Sequence, residues 1–307
     1  MTGEYALTVG VFTGIWVLLA MGLNLVSGYA GQPHLGHAAL YGIGAYASAL
    51  LTTRSGLDPW VAIPLSVLLA SAIGLALSAV TLRVRDDFLA ITTMGVNFVV
   101  VAVFLYVPFF GGAYGIGGVP PPRLLGVAFD RRAYFALVLG AVVLGALLDR
   151  WILRSWLGAG LVALRDDELA AEASGVDTRR FKVVAFGIGS GHAGLAGALY
   201  AHFAGFITPQ DFGFPVSITV LCMVVLGGIG TLRGAVTGAV LLSVLPELFR
   251  FLLNYRMLLY GLLLVLTMRY QPQGLLGEGS ALVGFLRRRA VGRPPVPRAE
   301  EVGRAAP

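Results

Sequence analysis

Residues 88–122, FLAITTMGVNFVVVAVFLYVPFFGGAYGIGGVPPP, run for 35 residues without a charged side chain. A helix crosses the hydrocarbon core of a bilayer in about 20 mostly apolar residues. The first part of this stretch is therefore long enough for one spanning helix. The Gly- and Pro-rich part that follows predicts a loop embedded in the membrane, because such residues interrupt a helix.

Apolar runs of the same kind recur along the whole chain, which has 307 residues. Hydrophobic residues make up 57% and charged residues 12%, against about 45–50% and about 25% in soluble domains. Too few charges are present to cover a soluble fold, which excludes a soluble enzyme and a nucleic-acid binder. The predicted fold is an all-α polytopic membrane helix bundle of about nine spans, within one either way, with broken or re-entrant Gly-Pro segments. The predicted spans are 7–27, 38–53, 59–82, 88–110, 133–149, 183–206, 214–232, 234–253 and 256–268.

The basic residues predict the orientation of the bundle, because cytoplasmic loops carry an excess of Lys and Arg. With the N-terminus outside, most of the 22 basic residues fall inside the cell. The six that fall outside are Arg54, Arg123, Arg131, Arg132, Arg250 and Arg256. We expect one membrane domain over residues 1–277 and a basic, disordered cytoplasmic tail over 278–307.

The longest polar stretch between spans is residues 154–182. Ala, Leu and Glu between 167 and 173 favour a short amphipathic helix, and Gly175 is placed to end it. One interpretation is a solvated connector with ordinary caps; the other is a docking helix for an energy-supplying chain. The single lysine, Lys182, lies between Phe181 and Val183, so no Gly-Lys-Ser/Thr phosphate loop exists in this chain.

A series of blocks resembles the permease subunits of bacterial branched-chain amino acid ABC importers, the LivM/LivH family, and is closer to the LivM type. Their order and spacing carry the resemblance, which covers about residues 22–277. The blocks are 22–38 (GLNLVSGYAGQPHLGHA), 87–95 (DFLAITTMG), 111–120 (GGAYGIGGVP), 193–200 (AGLAGALY), 205–209 (GFITP), 225–234 (VLGGIGTLRG) and 272–277 (PQGLLG).

The resemblance implies that stretch 154–182 is the loop that couples the permease to an ATPase. The form common in the family is Glu-Ala-Ala, three residues and Gly; here Leu169-Ala170-Ala171 precede Gly175, with Leu in the Glu position. The predicted coupling residues are Asp167, Glu168, Ala170, Ala171, Glu172, Gly175, Arg179 and Arg180.

The resemblance also implies the partners and the cargo. The partners are a homologous permease in a heterodimer, two cytoplasmic P-loop ATPases that bind ATP and Mg, and an extracytoplasmic solute-binding protein. The chain itself is expected to be no enzyme and to hold no cofactor, and its place is a bacterial or archaeal cell (inner) membrane. Hydrophobic amino acids are the family default, while close relatives use urea and short amides. Tyr114 and Phe98 depart from the family pattern, so the substrate stays open.

Polar residues inside spans are costly and often functional. The predicted pathway residues are Asn24, Gln32, His34, Thr93 and Asn97. For each of them the alternative is an interhelical hydrogen bond.

A membrane enzyme is one alternative function, and no catalytic constellation in the sequence supports it. Another alternative function and one alternative site remain. An ion-coupled transporter or passive facilitator is one, but we find no carboxylate deep in a span, which counts against ion coupling. A metal site at His34 and His37 is the other, and no third ligand accompanies this pair in the sequence.

Overall fold

The computed structural model describes residues 3–81, 86–124, 126–248, 256–270 and 274–277. Helices dominate these ranges. In chain order they are α1 (Gly3–Leu23), α2 (His37–Thr53), α3 (Pro59–Thr81), α4 (Asp86–Tyr106), α5 (Arg131–Arg154), α6 (Trp156–Asp166), α7 (Glu168–Ala173), α8 (Thr178–Ala204), α9 (Phe214–Gly227), α10 (Leu232–Leu248) and α11 (Arg256–Tyr270).

Short irregular elements join these helices. A π-helical turn, Asn24–Tyr29, continues α1, and a 3-10 turn, Pro209–Phe212, precedes α9. Two small antiparallel ladders lie between helices. They are formed by β1 (Ile116–Gly117) with β4 (Phe206–Ile207), and by β2 (Arg123–Leu124) with β3 (Val127–Ala128).

The all-α membrane bundle predicted from the sequence is confirmed. A helix is present in each of the nine predicted spans. Six helical segments within the described ranges are long and apolar enough to cross a membrane, so the count of nine stays a prediction. These six are Gly3–Tyr29, Pro59–Ala79, Phe88–Tyr106, Arg131–Arg154, Thr178–Ala204 and Pro209–Gly227. The predicted tail, 278–307, lies outside the described residues, and the domain division stays a prediction.

The bundle has two distinct ends. We call the end that carries residues 154–182 the loop end. At the other, far end, the start of α1 meets the end of α10, where the Tyr5 hydroxyl donates a hydrogen bond to Glu247. The start of α5 also lies there, with Arg131 Nε 3.7 Å from Glu4 Oε2.

Helix α8 forms the centre of the bundle because small residues let its neighbours approach closely. A methyl group at Gly197 would lie 2.8 Å from Ala45 N and would overlap the Tyr41 carbonyl of α2. A methyl group at Gly194 would lie 2.5 Å from Ala70 Cβ of α3. The glycines of α8 thus hold α2 and α3 at backbone contact distance.

The chain is broken inside the bundle at two Gly-containing positions. The first contains Gly31-Gln32-Pro33, a Gly-Pro segment of the kind predicted, and the second was not predicted. One break, 30–36, separates the π-helical turn from α2, and the other, 228–231, separates α9 from α10. Side chains of other helices satisfy the freed backbone groups, as lipid cannot. Thr93 Oγ1 accepts a hydrogen bond from Leu35 N at 3.0 Å, and Ser217 Oγ accepts one from Ala38 N at 3.0 Å.

Candidate functional site: coupling loop, glycine junction and far-end cleft

The predicted coupling loop, residues 154–182, folds as two capped helices, where the sequence predicted one; the name coupling loop is kept for this segment, and its role stays a prediction. Ser155 Oγ accepts from Leu157 N at 3.2 Å and begins α6. Asp167 accepts from Ala170 N at 3.0 Å and begins α7, as its acidic first turn predicts. Gly175 has a φ of +85°, a conformation that favours glycine and lets the chain turn back after α7.

Side-chain bonds fix α7 against the start of α8. Lys182 Nζ lies 2.6 Å from Glu168 Oε2, and the Thr178 hydroxyl donates to Glu172 Oε1 at 2.7 Å. The carboxylates of Glu168 and Glu172 are therefore both engaged within the chain. In the first turn of α7, the Leu169 side chain is 78% exposed.

The structure brings the predicted coupling residues together on and next to α7. Ala171 is buried at 5% exposure and anchors the helix, and Glu168 is half-buried. The exposed members are Asp167, Ala170, Glu172, Gly175, Arg179 and Arg180. Arg180 pairs with Asp177 at 2.8 Å. Their contact with an ATPase stays a prediction.

Helix α6 was missed by the sequence analysis. Its buried face, Leu161 and Leu164, packs in a small core with Leu25, Phe181 and Ala185. The signal was present as leucines three residues apart behind a Ser cap, a pattern that indicates an amphipathic helix. The coupling loop is consequently clamped to α8 and to the π-helical turn rather than hanging from the bundle.

At the loop end the two chain breaks meet at a contact that we call the glycine junction, formed by residues 24–31 and 228–232. Asn24 Oδ1 accepts from Gly230 N at 2.8 Å, and Asn24 Nδ2 donates to Thr231 O at 3.2 Å. The Tyr29 hydroxyl accepts from Leu232 N at 2.9 Å. A methyl group at Gly28 would lie 2.6 Å from Gly230 N, so the two backbones touch. The end of α1 and the start of α10 are thereby joined as one unit.

The predicted pathway residues are all buried, with 4% exposure or less. Asn24 belongs to the glycine junction, Thr93 holds the 30–36 break, and Asn97 donates to Phe212 O at 3.1 Å. Gln32 Oε1 and both ring nitrogens of His34 have no hydrogen-bond partner within the described ranges. Three of the five therefore make the interhelical bonds weighed as the alternative. A role of any of the five in the pathway stays a prediction.

A cleft of about 560 Å³ opens at the far end between α1, α2, α8, α9 and α10. None of the five predicted pathway residues lines it. Its polar lining is Tyr5, Thr8, Thr13, Tyr41, Tyr200, Gln210, Asp211, Thr219, Ser243 and Glu247, and its apolar lining is Val9, Phe12, Ile15, Trp16, Pro215, Val216, Met223 and Leu242. Thr13 Oγ1 and Ser243 Oγ are buried and have no hydrogen-bond partner in the part of the chain that the structure describes.

One carboxylate is buried in a helix that extends beyond the bounds predicted for its span. Asp149 is the last residue of the predicted span 133–149. Helix α5 continues to Arg154, and Asp149 is buried at 2% exposure with its Oδ1 3.4 Å from His192 Nε2 of α8. The sequence analysis ended this span at Asp149, although α5 continues beyond that residue to Arg154. This pair links the helix before the coupling loop to the helix after it.

Within the described ranges no group of three or more His, Cys, Asp and Glu side chains is arranged to hold a metal ion. His34 and His37 lie with their ring centroids 5.5 Å apart.

Comparison with known proteins identifies the family. A model of the family described as "branched-chain amino acid transport system / permease component" matches residues 5–268. The Escherichia coli high-affinity branched-chain amino acid transport system permease protein LivM is 38% identical over 90% of this chain and 71% of its own length. The probable LivM permease of Methanocaldococcus jannaschii and the LivH permease of Escherichia coli are each 27% identical, over 86% of this chain and 91% of their own lengths. No solved structure gives a significant match.

These relatives are transport permease subunits and not enzymes. The match spans the broken helices, the glycine junction and the coupling loop. The chain is a multi-pass membrane protein and belongs to the branched-chain amino acid transport permease family, in which it is of the LivM type.

Proposed function

We propose that this chain is the membrane-spanning permease subunit of an ATP-driven importer of branched-chain amino acids. It pairs with a homologous permease and two cytoplasmic P-loop ATPases, which bind ATP and Mg. A solute-binding protein delivers the substrate from outside. Closure of the ATPases displaces the coupling loop, and the permease pair opens alternately to the two sides of the cell membrane.

The braced coupling loop is the observation that supports this proposal most. A solvated connector has no need of caps on two helices, a buried leucine face and ion pairs that fix α7. These contacts instead hold α6 and α7 in fixed positions, as a segment that transmits force from a partner requires. The chain also lacks a phosphate-binding Lys loop of its own, so the energy has to come from another chain.

The far-end cleft supports the entry of a zwitterionic apolar solute. Asp211 and Glu247 bring carboxylates to the cleft, where an ammonium group is favoured. Phe12, Trp16 and Val216, which are partly exposed, offer an apolar wall for a branched side chain. The volume of about 560 Å³ lies in the usual range of small-molecule sites. Urea lacks both the charge and the apolar part that this lining would recognise.

The proposed orientation places the loop end in the cytoplasm and the far end outside. A single cysteine introduced at Glu172 or at Val127 tests it, because the native Cys222 is buried and slow to react. We expect a membrane-impermeant maleimide to label the Val127 variant in intact cells and the Glu172 variant only after the membrane is opened. The reverse labelling would overturn the orientation.

Association with the ATPases is tested at Leu169, whose exposed side chain can be changed without breaking a bond in the loop. Leu169→Asp is expected to leave membrane insertion intact and to prevent co-purification of the ATPases from mild detergent. Val127→Asp is the matched control, because it makes the same kind of change at a residue that is 71% exposed at the far end. Normal ATPase association and transport in Leu169→Asp would overturn the docking assignment.

The substrate is tested with the complete complex and its binding protein in proteoliposomes. We expect leucine, isoleucine and valine to stimulate ATP hydrolysis and to accumulate in the vesicles, and urea to do neither. Stimulation by urea would assign the chain to a short-amide importer. Uptake that proceeds without ATP and without partner chains would overturn the importer proposal in favour of a facilitator.

A further inference from the structure

Arg165 lies in the last turn of α6, outside the predicted coupling residues, and its side chain reaches from the coupling loop to the glycine junction. Its Nη1 donates a hydrogen bond to Gly28 O at 3.3 Å, in the last turn of the π-helical segment. The side chain is 34% exposed, and its Nη2 lies 3.3 Å from Asp166 Oδ1. Arg165 thus connects Asp166 at the surface of the loop with the backbone carbonyl of Gly28 inside the bundle.

Two glycines, Gly31 and Gly230, make the space that Arg165 occupies. A methyl group at Gly31 would lie 3.2 Å from the Arg165 Cα and Cγ atoms, so the stem of the side chain runs across that residue. A methyl group at Gly230 would overlap Arg165 Nη1. The guanidinium therefore lies between Gly28 O of one chain break and Gly230 of the other. Gly31 and Gly230 also have φ values of +66° and +77°, which favour glycine.

The chemistry of this contact suits an arginine. Carbonyl groups at the end of a helical segment carry partial negative charge and lack partners within the helix. A guanidinium has several hydrogen-bond donors in one plane. Arg165 can therefore donate to Gly28 O while its Nη2 stays paired with Asp166. A change in the tilt of α6 then moves the guanidinium relative to both chain breaks.

The loop does not depend on Arg165 for its attachment. Leu161 and Leu164 already bury the face of α6 against Phe181 and Leu25. Asn24 and Tyr29 already join the two halves of the glycine junction. What Arg165 adds is a direct polar contact from the loop to that junction.

We propose that Arg165 is a positioning residue that transmits displacement of the coupling loop to the glycine junction and so couples ATP hydrolysis to opening of the pathway. This inference rests on the proposed importer function. Loss of the guanidinium should then uncouple the complex: the ATPases still bind and hydrolyse ATP, while the ends of α1 and α10 no longer follow the loop.

The test uses the full complex in proteoliposomes and compares Arg165→Gln and Arg165→Lys with the wild type. The measured quantity is the number of leucine molecules transported per ATP hydrolysed. We expect about a tenfold lower ratio in Arg165→Gln, the effect of losing one hydrogen bond from a charged donor. Arg165→Lys keeps the charge and should recover part of the ratio. Arg150→Gln is the matched control, because Arg150 is an exposed arginine of α5 near the loop end.

Each outcome decides the inference. A wild-type ratio in Arg165→Gln overturns it. Failure of both Arg165 variants to assemble with the ATPases overturns it as well, since the residue then serves folding or docking. A wild-type complex that transports no leucine on ATP addition refutes the proposed function instead, so the two failures are distinguishable.

Discussion

Asn24→Ala tests whether the glycine junction holds the bundle together. The Asn24 side chain is 1% exposed and makes two bonds across the junction, to Gly230 N at 2.8 Å and to Thr231 O at 3.2 Å. Alanine removes both and leaves a buried backbone donor and a buried backbone acceptor without their partner. Asn97→Ala is the matched control, because Asn97 is equally buried and its side chain donates one hydrogen bond, to Phe212 O.

The size of the effect follows from the number of groups left unpaired. Each unsatisfied buried polar group costs about 1–3 kcal/mol. Interhelical hydrogen bonds in membranes average nearer to about 0.6 kcal/mol, because the unfolded state in lipid also finds partners. Two bonds at the membrane average give about 1 kcal/mol and two unsatisfied groups give about 2–6 kcal/mol, so we expect Asn24→Ala to lower the free energy of unfolding by about 1–6 kcal/mol. Asn97→Ala leaves one group unpaired and should cost about half as much.

The protein carries its own reporter for this measurement. Cys222, the single cysteine, is buried at 4% exposure in α9, so a thiol-reactive fluorophore labels it when the bundle opens. Thermal unfolding is followed by this labelling in detergent, with wild type, Asn24→Ala and Asn97→Ala measured side by side. Equal unfolding midpoints for the two variants, or a wild-type midpoint for Asn24→Ala, would refute the account of the junction.

Three further substitutions separate other parts of the structure, each followed by the same Cys222 labelling. Gly197→Ala forces α8 away from α2 and should lower the free energy of unfolding by about 1–3 kcal/mol. Its control is Gly140→Ala, whose methyl group meets open space and which should leave the free energy of unfolding unchanged or raise it by about 0.5–1 kcal/mol. Similar unfolding midpoints for the two variants would refute the close-packing argument. Glu168→Lys and Lys182→Glu should each destabilise the loop by about 1 kcal/mol, because each breaks the ion pair between these residues. The double variant restores the pair with its charges exchanged and should recover the wild-type stability. Additive losses in the double variant would show that the pair does not interact. At Gly175 there is space for a methyl group, but alanine would have to adopt a φ of +85°. Gly175→Ala should therefore lower the free energy of unfolding by about 1 kcal/mol through backbone strain alone. An unchanged unfolding midpoint would mean that the turn relaxes.

The sequence predicted where helices lie better than what they touch. Helix α7 was predicted because its signals are local: acidic residues at its start and Gly175 at its end. Helix α6 was missed because its apolar face is only a few leucines within a polar stretch, and its partners Leu25 and Phe181 are distant in sequence. The break at 30–36 was likewise predictable from local composition, because Gly and Pro interrupt helices wherever they occur. The break at 228–231 contains no Pro and was not predicted.

The contacts of the buried polar residues were harder to predict from the sequence than the positions of the helices. Asn24 and Asn97 looked alike in the sequence, as uncharged polar side chains within apolar runs. The structure gives one of them two partners at the glycine junction and the other a partner in the 3-10 turn before α9. The residues that line the far-end cleft were passed over, since Asp211 and Glu247 lie near helix ends where charges are usual. Which polar residue meets a cavity is decided by contacts between distant segments.

Glycine serves two different purposes in this chain, and only one has a sequence signature. In α8 the glycines recur at helical spacing and bring whole helices together, as Gly197 does against α2. At the glycine junction, Gly31 and Gly230 lie far apart in sequence and share no helix, yet both leave room for the side chain of Arg165. Any side chain at Gly230 would displace the guanidinium, so the arginine in the loop and the glycines in the breaks require one another. A loop that acts on the pathway through such a contact needs little motion of its own, because the two breaks that it reaches are the places where the helices are already interrupted.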